Sequence, residues 1–305
     1  MVSVSEKYLV VILGPTAIGK TAKSIELANY FNTEIISADS RQFYKEMSIG
    51  TAVPSETELK RVPHHFIHHK SIADKYSVGN FENDTLALTE KLFKKHDIIF
   101  MVGGSGLYVD AVCNGLDEFP EVEDSIRKDL KIQLEEKGMA FLQNQLRKLD
   151  PEYFKNADTQ NPQRVIRALE ICLSTGKPFS SFRKNKTVKR NFNIIKIALT
   201  APRTVIYQRI NQRVDLMMQD GLLEEAKKLY PQRQLNALQT VGYKELFAFF
   251  DNQYNLEEAV EEIKKNTRRY AKRQLTWFRK DETIKWFDFE TTPEEIIAYI
   301  KHQIS

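Results

Sequence analysis

The sequence predicts an α/β fold, a doubly wound parallel sheet interrupted by a helical insertion domain. Three observations predict it. Short apolar runs rich in β-branched residues recur along the chain and alternate with helical spacing. The first of these runs opens directly into a glycine-bearing turn at residues 14–21. Between residues 122 and 182 the strand pattern stops and only helical spacing remains. Alternating strands and helices form a sheet with crossover helices on its faces.

The run Tyr8 to Leu13 (YLVVIL) reads as a buried parallel strand, and Ala22 to Phe31 has helical spacing. Thr33 to Ser37 (TEIIS) is a second strand and Asp97 to Val102 (DIIFMV) a third; the third leads into Gly103-Gly-Ser-Gly106 and a helical pattern. Phe192 to Leu199 is a fourth strand, followed by a long amphipathic stretch from Val205. Lys285 to Phe289 is a fifth, with a last helix from Pro293. In the insertion, Ile126, Leu130, Leu134, Phe141, Leu142, Leu146 and Leu149 keep helical spacing, as does Arg164 to Leu173. Thr240 to Lys280 is also helical. The expected division is a core of residues 1–120 and 190–305 and an insertion of 121–189.

Composition excludes several classes. The chain has 305 residues, 42% hydrophobic and 28% charged, with a net charge of +4. These are the proportions of an ordinary globular protein, not of collagen, low-complexity disorder or a disulfide scaffold. Two isolated cysteines, Cys113 and Cys172, cannot build a Cys-rich zinc site and suggest a reducing compartment. No apolar run approaches the roughly 20 residues of a membrane span. Met1 to Lys7 is polar and runs into a strand, unlike a signal peptide, so a cytoplasmic location is expected. The charge is uneven: Lys264 to Lys280 holds eight basic residues and no acidic one. Arg183 to Arg190 holds five more, so the remaining body is acidic. Concentrated positive charge on an acidic body points to an anionic partner.

Gly14-Pro15-Thr16-Ala17-Ile18-Gly19-Lys20-Thr21 matches G-x-x-x-x-G-K-[ST], with a strand entering and a helix leaving. Such a loop curls its N–H groups and the helix N-terminus around phosphates. Lys20 brings a positive charge to them, and the Thr21 hydroxyl is placed for Mg²⁺. The fold class is therefore P-loop NTPase-like, and the loop implies a diphosphate or triphosphate ligand without implying hydrolysis. The usual metal-binding acid after a later strand is missing, because DIIFMV ends in Gly103-Gly-Ser-Gly106. An acid stands instead at the end of the second strand, in Ala38-Asp39-Ser40-Arg41-Gln42. Strand carboxyl ends meet the ligand crevice, which suits Asp39 to proton abstraction. Helix N-capping is the alternative task for the same residue.

The loop followed by Asp39-Ser40-Arg41-Gln42-Phe43-Tyr44 resembles the tRNA dimethylallyltransferases, also called tRNA isopentenyltransferases. The likeness continues through Ile49-Gly-Thr-Ala, Pro54, Val62-Pro-His-His65, Gly103-Gly-Ser-Gly-Leu-Tyr108 and Asn161-Pro-Gln-Arg164. It runs on over Arg167-Ala-Leu-Glu170, Val241-Gly-Tyr243 and Ala271-Lys-Arg-Gln274 with Trp277, in the family's order and over nearly the whole chain. The resemblance implies transfer of a dimethylallyl group from dimethylallyl diphosphate to N6 of the adenosine 3′-adjacent to a tRNA anticodon, in tRNAs reading codons that begin with U. The loop would then hold the diphosphate leaving group, with Mg²⁺, Lys20 and arginines stabilising its charge. Asp39 matches the family's acid and Gln42 its adenine-reading residue.

By the same likeness Thr16 to Thr21 line the diphosphate, and Arg213, with Arg209 one turn earlier, matches the diphosphate-contacting arginine. Contacts to tRNA are implied for Asp39, Ser40, Arg41, Gln42, Ser105 and Arg127. They are also implied for Gln163, Arg164, Val165, Ile166, Arg167, Gln239, Thr240, Val241, Gly242, Tyr243 and Lys244. Arg268, Arg269, Lys272, Arg273 and Gln274 complete the set, and the basic segment gains phosphate contacts, with Tyr270, Trp277 and Phe278 stacking or lying in the core. The insertion would be a second jaw on the anticodon stem-loop. One active site per chain makes a monomer adequate.

Departures from the family pattern are Ile18, Val53, Arg41 and Phe43. His64-His65-x-x-His68-His69 also admits a metal reading, which Pro63 and the likeness oppose in favour of a loop or strand. Short of the full likeness, the loop alone allows an adenylate isopentenyltransferase, a nucleotide kinase or a nucleotide-gated RNA-binding protein.

Overall fold

The computed structural model describes residues 6–183 and 188–304. The chain divides into two compact units, one of residues 1–113 and 189–305 and one of 114–188. Half of the basic stretch at 183–190, namely Lys184, Asn185, Lys186 and Thr187, lies outside the described residues, as do Met1 to Ser5 and Ser305.

The first unit runs β1 (Tyr8–Leu13), α1 (Lys20–Tyr30), β2 (Ile35–Ser37), α2 (Glu56–Arg61), β3 (His64–His65), α3 (Val78–Leu92), β4 (Ile98–Val102) and α4 (Gly106–Asn114). The second unit holds α5 (Asp124–Leu149), α6 (Pro151–Asn156) and α7 (Pro162–Thr175). The first unit then resumes with β5 (Asn193–Thr200), α8 (Arg203–Gln219), α9 (Leu222–Leu229), α10 (Tyr243–Phe250), α11 (Leu256–Phe278), β6 (Lys285–Asp288) and α12 (Pro293–Ile304). The six strands form one sheet in the order β3-β2-β4-β1-β5-β6. Every pairing is parallel, and Tyr8 aligns with both Ile98 and Asn193 across the centre.

Side chains alternate across a strand with a period of two. Leu9, Val11 and Leu13 of β1 therefore enter one core with Ile99 and Met101, while Val10 and Ile12 enter another with Phe100, Ile195, Ile197 and Leu199. Both faces of the sheet are covered, as a parallel sheet requires. This is why its strands read as unbroken apolar runs.

The structure adds elements where the sequence pattern predicts none. Helices α2 and α3 each start with a capping box, Ser55 with Glu58 and Ser77 with Asn80. The buried face of α3 is Phe81, Thr85, Thr89 and Leu92, and its two threonines blur the apolar stripe. The expected helical stretch 240–280 is two helices, split by the turn that ends at the Asn255 N-cap.

In the helical unit, α5 is broken at Gly138, whose φ of 76° no helix accommodates. Leu130, Leu142, Leu146, Val165, Ile166 and Leu169 form its separate core. Asp150 caps α6 and also accepts from Ser180 N–H and its hydroxyl, tying the Phe179–Phe182 turn down. The unit begins at Asn114 rather than 121, and Val188 N–H donates to Asn114 O at 2.8 Å, pairing its two ends.

Candidate active site at the carboxyl edge of the sheet

Three strand ends converge on one cavity. From β1 the chain enters the 14–21 loop, from β2 it reaches Asp39, and from β4 it reaches Gly103 and Gly104. A cavity of about 540 Å³ is lined by Thr16, Lys20, Thr21, Asp39, Gly104, Arg209, Arg213 and Tyr270, among others. A second, of about 220 Å³, shares Thr16, Asp39, Arg213 and Tyr270 but has an apolar wall of Ile210, Val214, Met217, Leu222, Val241 and Ile263. Asp39 and Arg213 thus line both cavities, the one at the phosphate loop and the one with the aliphatic wall.

The loop owes its shape to its glycines. Gly14 has φ 141°, and a Cβ there would lie 2.7 Å from Leu199 O. Lys20 Nζ donates to Gly14 O at 3.0 Å and Pro15 O at 2.8 Å, folding back over the loop it belongs to. Burial, reinforced by Arg213 and opposed by Asp39, pushes its amine down to about 7. Arg209 Nε donates to Ala17 O at 2.8 Å, and Arg213 Nη1 approaches Thr16 Oγ1 at 3.4 Å. Both arginines therefore reach the loop. Arg209 is fixed to its backbone, while Arg213 is the one whose charge acts on Asp39 and Lys20. Burial lowers Arg213 below an arginine's ordinary value, with Asp39 opposing.

Asp39 is not a helix cap. Its Oδ1 accepts from Arg41 N–H at 3.0 Å within a turn, and no helix follows. Gly103 is needed because a Cβ there would lie 2.4 Å from Ala38 O, so β4 could not approach the Asp39 turn. Ser105 Oγ accepts from Ser40 N–H at 3.1 Å and fixes the same turn from the α4 side. Tyr270 lies beside Asp39 and stays a phenol, because burial and Asp39 raise it to about 12.

Several residues read as partner contacts have internal tasks. Gln274 is buried; its Oε1 accepts from Thr16 N–H and its Nε2 donates to Gly104 O, both at 2.9 Å. It braces the phosphate loop against the β4 turn. The Gln42 amide accepts from Ser37 Oγ and donates to Thr51 O and Ala52 O, which occupies the groups that would read a base edge. Arg41 donates to the carbonyls of Asn236 and Ala237. Val165, Ile166 and Tyr243 are buried and present no side-chain surface to a partner. The helical period explains the first two: Gln163, Arg164 and Arg167 face out while Val165 and Ile166 face the core.

The remaining members of the predicted set are dispersed. Thr240, Val241 and Gly242 line the smaller cavity. Gln239 Nε2 donates to Arg233 O, and Lys244 is exposed. On α11, Arg269, Lys272 and Arg273 are exposed, while Arg268 donates to Asn211 Oδ1 at 2.7 Å. The basic run shortens at its start, because Lys264 pairs with Asp215 and Glu261 and Lys265 with Glu262. Arg190 is likewise internal, bound to Glu82 and to the carbonyls of Ala111 and Val112. Phe278 is in the core, whereas Trp277 is 38% exposed and donates to Asp110 at 2.8 Å. Arg127 and Arg167 lie on the helical unit beside Glu170.

The four clustered histidines take separate partners. His64 bonds Val62 O, His65 pairs with Glu34 at 2.6 Å, and His68 meets Ser48 Oγ. His69 sits among Phe43, Phe66 and Tyr76, where burial pushes it down to about 4 and keeps it neutral. Sequence reasoning missed Gln212, which lines the larger cavity, and Glu225, whose carboxylate holds the turn at 48–50. Glu225 lies in an ordinary charged helix pattern that gives no signal.

An all-parallel sheet, a phosphate-loop motif at the end of its central strand and a carboxylate facing that loop define an α/β protein of the P-loop class. A family model described as IPP transferase matches residues 42–281. The chain belongs to the IPP transferase family. It is 61% identical to a tRNA dimethylallyltransferase of Christiangramia forsetii, over 98% of this chain and 99% of the relative. It is 56% identical to one of Flavobacterium johnsoniae, over 96% and 97%. Among solved structures it is similar to a tRNA isopentenylpyrophosphate transferase from Bacillus halodurans, with TM-score 0.73, 40% identity and coverage of 98% and 97%. It is also similar to a eukaryotic dimethylallyltransferase acting on tRNA, with TM-score 0.82, 28% identity and coverage of 98% and 79%.

Proposed function

We propose that this chain transfers a dimethylallyl group from dimethylallyl diphosphate to N6 of the adenosine 3′-adjacent to the anticodon, in tRNAs reading codons that begin with U. The products are N6-(dimethylallyl)adenosine and diphosphate. The observation that carries the reading is the position of Asp39. It lines the cavity of the phosphate loop and the neighbouring cavity that has an aliphatic wall. A transfer from a diphosphate to an amine needs an anion clamp, a dry wall and a proton acceptor at one point.

In this mechanism the N6 nitrogen attacks the allylic carbon. The C–N bond forms as the C–O bond to diphosphate breaks, and the bonding electrons leave on the diphosphate oxygen. Loop N–H groups, Lys20, Arg209 and Arg213 stabilise that growing charge. Asp39 accepts the proton released from N6. The target base must leave its stack to reach Asp39. Among the described residues no three His, Cys, Asp or Glu side chains gather as a cation cage. The Thr21 hydroxyl lines the cavity, and a single protein oxygen beside phosphate oxygens suits Mg²⁺, which keeps several of its waters. Thr21 would supply one oxygen, and the ion would neutralise charge on the leaving group. For the RNA we assign phosphate contacts to Arg127, Arg164 and Arg167 of the helical unit and to Arg269, Lys272 and Arg273 of α11. No described helix is long and apolar enough to cross a membrane, and we place the reaction in the cytoplasm, where tRNA is used.

The test is incubation with labelled dimethylallyl diphosphate, Mg²⁺ and either unmodified tRNA or AMP. Label in tRNA alone is expected. Label in AMP alone overturns the reading in favour of a free-nucleotide transferase, and label in neither overturns transfer itself.

A further inference from the structure

We infer that Glu170 is a positioning residue that holds Arg127 and Arg167 as a preformed phosphate fork on the helical unit. The inference rests on the proposed tRNA substrate and says how that unit grips it.

Glu170 is only 1% exposed, although it is a carboxylate in the middle of an amphipathic helix. Its neighbours explain why it is tolerated there. Oε2 accepts from Arg167 Nη1 at 3.3 Å, and Oε1 lies 3.2 Å from Arg127 Nε. The Arg127 approach is off-axis, so Oε1 has an ion pair but no aligned hydrogen bond. A buried charge left unpaired is strongly unfavourable, so both guanidinium groups are pulled to this spot. They come from different helices, Arg127 from α5 and Arg167 from α7.

Each arginine is fixed a second time. Arg127 Nη2 donates to Gln163 Oε1 at 3.3 Å, and the Arg167 guanidinium lies 5.4 Å from the centre of the Phe119 ring. Yet their side chains remain 45% and 43% exposed. A guanidinium carries five N–H donors, and Glu170 engages only one edge of each. Two cations around one anion leave a net positive charge with donors facing outward. That arrangement suits a phosphate oxygen pair and needs little further ordering on binding.

The inference predicts a sign opposite to simple charge counting. Glu170→Gln adds one positive charge to the surface, which by itself tightens RNA binding and steepens its salt dependence. A positioning role predicts the reverse, a loss of about tenfold in tRNA affinity as two long side chains become free. The experiment measures equilibrium binding of unmodified tRNA to the full chain across a salt series. The proteins are the parent, Glu170→Gln, the Arg127→Ala/Arg167→Ala pair, and all three changes together, with thermal melting as the check on folding. Expected is weaker binding for Glu170→Gln in the parent and no further loss where both arginines are absent. A merely structural role would weaken both backgrounds equally, and that result overturns the inference, as does unchanged or tighter binding of Glu170→Gln. If the double arginine variant binds tRNA as the parent does, the helical unit does not grip RNA and the inference falls with it. Transfer of label to tRNA by the parent tests the activity separately. Glu170→Met, which fills the same buried volume without charge, replaces the glutamine variant if that one melts early.

Discussion

Glu225 makes the most exposed wager about how this site is held. Its Oε2 accepts from the N–H groups of Ser48 and Ile49 at 3.0 and 2.9 Å. Its Oε1 accepts from Gly50 N–H at 2.9 Å and from the Tyr243 hydroxyl at 2.6 Å. One carboxylate therefore satisfies four donors, three of them on consecutive residues. The next two carbonyls, of Thr51 and Ala52, hold the Gln42 amide three residues from Asp39. Glu225→Gln keeps the volume and one oxygen, but turns an NH₂ towards two donors. Hydrogen bonds to charged groups are worth about 1.5–3 kcal/mol each, so losing two of the four costs about 3 kcal/mol. For a domain of this size that lowers the melting temperature by roughly 6–12 °C. Tyr243→Phe removes one donor and should cost about half as much, about 1.5 kcal/mol. Urea unfolding reads both changes as a lower midpoint at constant m-value. If Glu225→Gln stays within about 0.5 kcal/mol of the parent, or if Tyr243→Phe costs as much, the carboxylate is not the clamp.

Asp39→Asn should lower the rate of transfer by about 10²- to 10⁴-fold while tRNA affinity stays within a few fold, measured with labelled dimethylallyl diphosphate; retained turnover removes Asp39 from the proton-accepting role. Because the free Lys20 amine titrates at about 7, diphosphate, which needs the ammonium form, should bind with constant affinity below that pH. Above it, affinity should weaken by up to about tenfold per pH unit, with proton uptake seen by calorimetry in buffers of different ionisation enthalpy. Flat affinity from pH 6 to 9 would contradict the assignment. Gly104→Ala brings a Cβ to 2.2 Å from Gln274 Nε2, so it should destabilise the chain by about 1–3 kcal/mol and weaken diphosphate binding. Arg269→Ala and Arg273→Ala should each lower tRNA affinity and reduce the salt slope by roughly one unit, and an unchanged slope means they touch no phosphate.

The sheet edge that lines the candidate site was largely legible in the sequence, and the reason is local. A phosphate loop is one contiguous run whose glycines and lysine act where they stand. Asp39 could be found because a parallel sheet delivers its ligand groups at strand ends. Helix α3 was illegible because two of its four buried positions are threonines. The internal tasks of Gln274 and Glu225 were illegible for another reason. Each closes a hydrogen bond to backbone far away in the chain, Gln274 to Thr16 and Glu225 to Ser48, and no local pattern records that.

The basic segment shows the same division. The sequence by itself determined that Lys264 to Lys280 would be positive and helical, because charge and period are properties of the run. Only the tertiary structure decided which cations remain available. Lys264 is taken by Asp215 from another helix, Arg268 is turned onto Asn211, and Arg269, Lys272 and Arg273 stay at the surface. The sequence likewise determined the phosphate-loop motif and its place between a strand and a helix. The tertiary structure set the aliphatic wall of the cavity beside that site, because Val214, Val241 and Ile263 come from separate segments and meet only when α8, α11 and the turn before α10 pack together.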